Sequence, residues 1–135
     1  MIRSITFALG LVALGSAATA QQAVRIGGVL PLSGPNSSYR DVIVAGANLA
    51  VEHVNADKML SGPLSIAYED SQALPQQGVI AMNKLVNLEK VPFVLSSFTG
   101  VSKAISVIGE RTKTVVVNGG ATGPVSSRCS SQTPA

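Results

Sequence analysis

The sequence predicts an α/β protein with a doubly wound parallel sheet, that is, a sheet with helices on both faces. Strand-like and helix-like segments alternate along the chain at the spacing of βαβ units. The last two strand-like segments, Phe93-Val94-Leu95 and Val115-Val116-Val117, are continuous apolar runs, which suit strands buried on both faces of a parallel sheet. The first strand-like segment ends in a polar loop rich in Gly and Pro, and a helical pattern follows, as in the first half of a βαβ unit.

Each predicted element has a local signal. Pro75 opens the second helix, because proline suits the first turn, where its missing N–H would be unpaired in any case. Apolar and small residues form one face of the first helix, and Gly46 on this face is expected to let the helix lie close to the sheet. Thr99 or Ser102 is expected to cap the third helix. The predicted strands are 24–30, 64–69, 92–96 and 114–118, and the predicted helices are 41–57, 76–88 and 101–111.

The composition is that of one small packed α/β domain. The chain has 135 residues, of which 46% are hydrophobic and 13% are charged. Its formal net charge is +3, and the basic residues neither cluster nor alternate with aromatic residues. We therefore expect no nucleic-acid partner, because such binding needs a concentrated basic surface.

Residues 1–20 have the features of a secretory signal peptide. Arg3 supplies a positive charge, an apolar segment follows, and Ala18-Thr19-Ala20 fits the small-x-small cleavage rule. The apolar segment is shorter than the ~20 residues of a membrane-spanning helix. We expect cleavage after this motif, a mature chain that begins at Gln21, and a periplasmic location. A retained N-terminal anchor is the alternative.

The stretch 24–39 joins the first strand to the loop Pro31-Leu32-Ser33-Gly34-Pro35, and the segment Gly46-Ala47-Asn48-Leu49-Ala50-Val51-Glu52 follows in the first helix. This combination resembles the start of a periplasmic solute-binding protein of the leucine/isoleucine/valine-binding family, which feeds ATP-driven (ABC) importers. The resemblance runs from about 24 to 124 and implies the type I architecture, in which two α/β lobes clamp a ligand between them. It predicts a partial N-terminal lobe over 21–125 and an irregular, truncated end over 126–135.

The same resemblance implies a function. It predicts the substrate-binding component of an ABC importer for amino acids or related small carboxylates, present here as a truncated N-terminal portion. The partners would be a small-molecule ligand and, in the full-length parent, a membrane permease. Two alternatives stay open, namely the ectodomain of a sensor or receptor with the same fold and a small flavodoxin-like nucleotide- or phosphate-binding enzyme.

The residues themselves give no sign of an enzyme or of a cofactor. His53 has only Asp57 one turn away, and two ligands do not make a zinc site. The Gly-rich segment 119–123 lacks the Lys-Ser/Thr of a phosphate loop, and no Gly-x-Ser-x-Gly elbow is present. Glu69-Asp70 is interpreted as a solvated strand end, with an acid pair as the alternative. We therefore expect a binding protein without a metal or cofactor.

Three polar loops follow strands at the same edge of the predicted sheet, namely 31–38, 96–100 and 119–124. The first and third strands should flank the point where helices change faces, which is where ligands bind in doubly wound sheets. The start of the third helix offers unpaired N–H groups and a dipole that attract a carboxylate. Gly119-Gly120 allows close approach to the backbone, and Thr122 adds a hydroxyl.

The resemblance assigns ligand-binding roles to four residues. Thr99, Gly120 through its carbonyl, and Thr122 would hold the amino and carboxylate groups of the ligand. Tyr39 would close the first loop and pack against the ligand. Thr99 stands where the family often has Ser, and Gly119-Gly120 stands where it usually has Pro-Ala or Gly-Ala, so the identity of the ligand does not follow. The alternatives are a helix cap for Thr99, a turn residue for Thr122 and a packing role for Tyr39.

Cys129 is the single cysteine of the chain. Export would place it in an oxidising compartment, where an odd cysteine calls for a partner. We expect a disulfide to a residue beyond Ala135, with a free thiol as the alternative.

Overall fold

The computed structural model describes residues 22–123, which form a parallel sheet, three α-helices and one 3-10 turn. The strands are β1 (Val24–Leu30), β2 (Leu64–Asp70), β3 (Phe93–Ser96) and β4 (Val115–Asn118), and the helices are α1 (Arg40–Ala56), α2 (Pro75–Asn87) and α3 (Thr99–Thr112). The 3-10 turn is Ser37–Tyr39. The predicted signal peptide, the predicted irregular end and Cys129 lie outside the described residues. Within residues 22–123, no helix has the length and apolar character needed to cross a bilayer.

The sheet is parallel throughout, and its strand order is β2-β1-β3-β4. The chain passes from β1 to β2 on one side and then returns across β1 to β3. Because such crossovers are right-handed, α1 lies on one face of the sheet while α2 and α3 lie on the other. The predicted doubly wound α/β class is therefore confirmed, with the switch point between β1 and β3.

The hydrophobic core lies between the sheet and the pair α2 and α3. Gly78 lets these helices approach each other, since a Cβ at this position would lie 2.7 Å from Val101 Cγ1. Burial of each large apolar side chain in such a core stabilises the fold by roughly 1.5–3 kcal/mol. The buried core residues are Val29, Ala81, Met82, Leu85, Val91, Val94, Val101, Ile105 and Ile108.

The opposite face of the sheet is only partly covered by α1. None of the residues of α1 is buried, and a Cβ built on Gly46 would meet nothing within 4 Å. The expectation that Gly46 lets α1 lie close to the sheet is therefore wrong for the described residues. On the other face two helical glycines do make close approaches, Gly78 of α2 against Val101 of α3 and Gly109 of α3 against Val116 of β4.

The last strand, β4, is not buried on both faces, contrary to the prediction from its apolar run. Val116 packs against the core, but Val115 is 55% exposed and Val117 is 40% exposed. Alternate residues of a strand project to opposite faces, and among residues 22–123 only one side of β4 is covered. In this part of the chain β4 pairs only with β3, so its other edge carries unpaired backbone groups.

The third helix begins without the predicted side-chain cap. Its N-cap residue is Phe98, and neither Thr99 nor Ser102 caps the helix with its side chain. The Ser102 hydroxyl lies 3.0 Å from the Ser96 hydroxyl instead. Phe98 has a φ of 68°, which L residues rarely adopt, and this conformation turns the chain sharply from β3 into α3.

Candidate functional site

Three loops meet at the edge of the sheet where the strands β1, β3 and β4 end. The register aligns Val29 of β1 with Ser96 of β3, and Ser96 with Asn118 of β4. The three strands therefore end nearly level, and the predicted convergence of the loops after them follows from this register. This edge borders the switch point, which is the usual position of ligands in doubly wound sheets.

The loop after β1 is held in place by Asp70, the last residue of β2. One carboxylate oxygen of Asp70 accepts hydrogen bonds from the backbone N–H groups of Leu32 and Gln72, both at 2.9 Å, and the other accepts a bond from the Ser33 hydroxyl. Burial by itself raises the pKa of the Asp70 carboxyl, but these hydrogen bonds outweigh it and lower the pKa below its usual value. Asp70 is therefore more than a solvated strand end, because it fixes the first loop of the site.

Tyr39 lies at the end of the 3-10 turn that follows this loop, and its side chain is 55% exposed. Its ring meets the ring of Phe98 edge to face, with centroids 5.7 Å apart and an interplanar angle of 81°. Such pairs contribute about 0.5–1.5 kcal/mol beyond the area that they bury. The contact joins the loop after β1 to the loop after β3 and leaves much of the Tyr39 ring open.

The loop after β3 contains a buried hydroxyl without a partner. Ser96 and Ser97 are both buried, but only the Ser96 hydroxyl has a hydrogen-bond partner, Ser102. The Ser97 hydroxyl has none within the described part of the chain. Buried polar groups are nearly always hydrogen-bonded, so an unpaired hydroxyl at this place calls for an explanation.

The loop after β4 packs directly on these residues. The Gly119 N–H donates a hydrogen bond to the Ser96 carbonyl at 2.9 Å, and a Cβ on Gly120 would lie 3.6 Å from Ser97 Cβ. The Gly123 N–H donates to the Thr99 hydroxyl at 3.0 Å. Thr99 therefore ties the end of this loop to the start of α3, while its hydroxyl proton stays available as a donor.

An open groove of about 260 Å³ extends from these loops between α1 and the sheet. Its polar end is formed by Ser96, Ser97 and Gly119. The side chains that make its walls apolar include Leu30, Ile43, Ala47 and Leu95. A larger depression of about 440 Å³ lies beside Val54, Asn55 and Pro63, near the amino end of β2 and therefore away from the converging loops, which follow the carboxyl ends of the strands.

The structure places the four predicted ligand-binding residues at one edge of the sheet. Tyr39 contacts Phe98, which directly precedes Thr99, and Thr99 accepts a hydrogen bond from Gly123 next to Thr122. Gly120 and Thr122 are exposed. Their roles toward a ligand stay predictions. In residues 22–123, no group of three or more His, Cys, Asp or Glu side chains is placed to hold a metal ion.

Asp70, Ser97 and Asn118 were not singled out from the sequence as residues of the site, although Ser97 lies in the predicted loop 96–100 and Asp70 belongs to the pair Glu69-Asp70 that was interpreted as a solvated strand end. The Asn118 carbonyl oxygen accepts hydrogen bonds from the N–H groups of Gly120 and Ala121. An Asn directly before two glycines at a strand end is a local signal for this kind of turn. Ser97 directly follows Ser96, the last residue of β3, whose hydroxyl pairs with that of Ser102 in α3.

Fold and site together define an α/β ligand-binding protein whose site lies outside the carboxyl ends of parallel strands. A family model described as "periplasmic binding protein" matches residues 23–133 of this chain. The chain belongs to this family of extracytoplasmic substrate-binding proteins, which are not enzymes. The flavodoxin-like enzyme that the sequence left open is therefore ruled out.

Individual relatives agree with this membership. The Leu/Ile/Val-binding protein homolog 3 of Brucella melitensis is 31% identical over 126 residues, which are 92% of this chain and 33% of the relative. The branched-chain amino acid transporter substrate-binding protein LivJ of Streptococcus pneumoniae, solved with isoleucine, has a TM-score of 0.69 at 21% identity, over 76% of this chain and 30% of that one.

A solute-binding protein of an ABC transporter from Rhodopseudomonas palustris, solved with 3,4-dihydroxy benzoic acid, has a TM-score of 0.66 at 16% identity, over 73% of this chain and 27% of that one. Both solved structures are similar to this chain in fold. The chain spans about a third of the length of these proteins, and it resembles a partial N-terminal region of the leucine/isoleucine/valine-binding type.

Proposed function

We propose that this chain supplies part of the first lobe of the substrate-binding component of an ABC importer for amino acids or related small carboxylates. The observation that carries the proposal is the buried, unpaired hydroxyl of Ser97 at the point where the loops after β1, β3 and β4 converge. A hydroxyl that lacks a partner in the free protein is ready to donate a hydrogen bond to a ligand.

The donors of this edge suit a carboxylate. The α3 helix of 14 residues starts here, and its first N–H groups and dipole favour a negative charge. The hydroxyl protons of Ser97, Thr99 and Thr122 add further donors around the same point. Gly120 is exposed, so its carbonyl oxygen is open to accept a hydrogen bond from a ligand ammonium group. The ring of Tyr39 would cover the apolar part of the ligand.

The ligands of the similar structures support this chemical class. Isoleucine and 3,4-dihydroxy benzoic acid differ in their apolar parts, but both carry a carboxylate. A shared carboxylate with different apolar parts fits a site in which the loop donors hold the charged group and the apolar walls of the groove accept different side groups.

The complete protein would capture its ligand by hinge closure of two lobes and deliver it to a membrane permease. In this proposal residues 21–125 are a partial N-terminal lobe, residues 1–20 are a cleaved signal peptide, and the protein works in the periplasm. The family model matches residues 23–133 and so begins just after the proposed signal peptide, which supports this division.

Calorimetric titration of the complete protein, as its gene encodes it, tests the proposal. We expect saturable binding of L-leucine, L-isoleucine or 3,4-dihydroxybenzoate. Thr122→Val should weaken that binding by ~1–3 kcal/mol, because a charged ligand group loses a hydrogen bond. Thr112→Val is the matched control, since Thr112 lies at the far end of α3, bonded to Ile108, and should leave the affinity unchanged. Absence of binding across amino acids and small aromatic acids would contradict the proposed function.

A further inference from the structure

The loop after β4 owes its shape to one side chain. Asn118 ends β4, and its side-chain oxygen accepts hydrogen bonds from two successive N–H groups, those of Gly120 at 3.2 Å and Ala121 at 2.9 Å. An oxygen that accepts two backbone N–H groups in this way closes a tight turn. The turn begins with two glycines, which by themselves would leave the backbone free to adopt many conformations.

The hydrogen bonds of this loop leave one N–H group without an acceptor among residues 22–123. The N–H groups of Gly119, Gly120, Ala121 and Gly123 all donate to protein atoms. Thr122 makes no such bond in this part of the chain, and it is exposed. The bonds to Asn118 therefore engage two N–H groups of the loop, whereas the N–H and the hydroxyl of the exposed Thr122 have no acceptor in this part of the chain.

We propose that Asn118 is a positioning residue of the ligand site, which holds the loop so that Thr122 presents both donors to a bound carboxylate. The inference rests on the proposed function, and it adds a residue that acts through the loop without touching the ligand. A side chain at this place must accept two hydrogen bonds and stay uncharged, because a carboxylate here would repel a carboxylate ligand. Asn meets both conditions.

The test compares two variants of the complete protein. Asn118→Leu keeps the approximate size of the side chain but removes the acceptor, and Asn118→Ser restores a neutral acceptor. Asn87→Leu is the matched control, because Asn87 is exposed at the carboxyl end of α2, at the opposite edge of the sheet. Hydrogen exchange of the peptide spanning 116–123 reports the order of the loop, and calorimetry with L-leucine and 3,4-dihydroxybenzoate reports affinity.

We expect Asn118→Leu to speed exchange at Gly120 and Ala121 about tenfold and to weaken binding about tenfold, since two hydrogen bonds are lost. Asn118→Ser should recover most of both effects, and Asn87→Leu should show neither. Recovery by Ser separates positioning from simple loss of packing, because Ser is smaller than both Asn and Leu.

Different results overturn the two proposals separately. If Asn118→Leu binds as tightly as the wild type while Thr122→Val binds more weakly, the positioning role is wrong and the proposed function stands. Unchanged exchange at Gly120 and Ala121 in Asn118→Leu also overturns the positioning role. A wild-type protein that binds none of the amino acids or aromatic acids overturns the proposed function, and the positioning role with it.

Discussion

Removal of the Ser97 hydroxyl should stabilise the free protein and weaken ligand binding. In most buried Ser→Ala substitutions a hydrogen bond is lost and the protein becomes less stable. The Ser97 hydroxyl is different, because its side-chain oxygen is buried and has no hydrogen-bond partner within residues 22–123. Ser97→Ala therefore removes a desolvated group that contributes nothing to the free state.

The size of both effects follows from the cost of burying an unpaired hydroxyl. That cost is about 1–3 kcal/mol in proteins, so the ligand-free Ser97→Ala variant should gain up to this amount in its free energy of unfolding. In the ligand-bound state the variant would lack a hydrogen bond to a charged group that the wild type makes, and such a bond is worth about 1.5–3 kcal/mol. Both changes lower the affinity, because the free state becomes more stable and the bound state less stable, so the affinity should fall by roughly one to four powers of ten.

Ser96→Ala is the matched control at the neighbouring position. The Ser96 hydroxyl pairs with the buried Ser102 hydroxyl at 3.0 Å, so its removal leaves Ser102 unpaired and should cost about 1–3 kcal/mol of stability. Urea unfolding without ligand and calorimetry with L-leucine measure both quantities on the complete protein. A Ser97→Ala variant that loses stability like Ser96→Ala, or that binds like the wild type, would refute the reasoning.

Further predictions follow from other parts of the chain. Asp70→Asn should lower the free energy of unfolding at neutral pH. Because the fold lowers the pKa of Asp70, the difference between wild type and variant should be constant above about pH 4–5. It should vanish as the pH falls through the lowered pKa. Mass spectrometry of the periplasmic fraction should find a chain that begins at Gln21, and an intact membrane-held form would contradict this. In the complete protein a thiol reagent should label Cys129 only after reduction, whereas labelling of the folded, unreduced protein would indicate a free thiol. Residues 21–135 expressed alone should self-associate in light scattering, because Val115, Val117 and the open edge of β4 invite pairing; a monomer with a cooperative melt would contradict this.

The elements of the fold could be predicted from the sequence because their signals are local. Apolar runs, the three- and four-residue spacing of helices, and Gly and Pro at the turns predicted the strands and α-helices of residues 24–118. The ends of each element differ from the predicted ends by about two residues at most. Pro75 marks the first turn of α2, as predicted. The parallel sheet then followed from the alternation of these elements and the handedness of crossovers.

The features that could not be predicted depend on residues distant in the sequence. An apolar run such as 115–117 indicates burial, but the exposure of Val115 depends on which helix covers β4. Gly46 was expected to let α1 lie close to the sheet, yet the helical glycine that approaches the sheet is Gly109, where a Cβ would lie 2.8 Å from Val116 Cγ2. The hydrogen bond from the Leu32 N–H to the Asp70 carboxylate joins residues 38 positions apart, and no local pattern reveals it.

The candidate site was predictable in its place but less so in its chemistry. Strand ends and a switch point gave the edge of the sheet from the element order alone. The resemblance supplied Thr99 as a ligand-binding hydroxyl, whereas the structure adds Ser97, whose side chain is unpaired, and shows Thr99 bonded to Gly123. Which hydroxyl is free depends on the partners that the fold brings, and these are not visible in the sequence.

A crystal structure of the complete protein with a bound amino acid or aromatic acid tests the central claim most directly. The ligand carboxylate should lie within hydrogen-bond distance, ~2.7–3.2 Å, of the Ser97 hydroxyl and of the Thr122 N–H or hydroxyl, at the edge where β1, β3 and β4 end. A ligand bound away from these three loops, for example beside Val54 and Pro63 at the opposite edge of the sheet, would contradict the account.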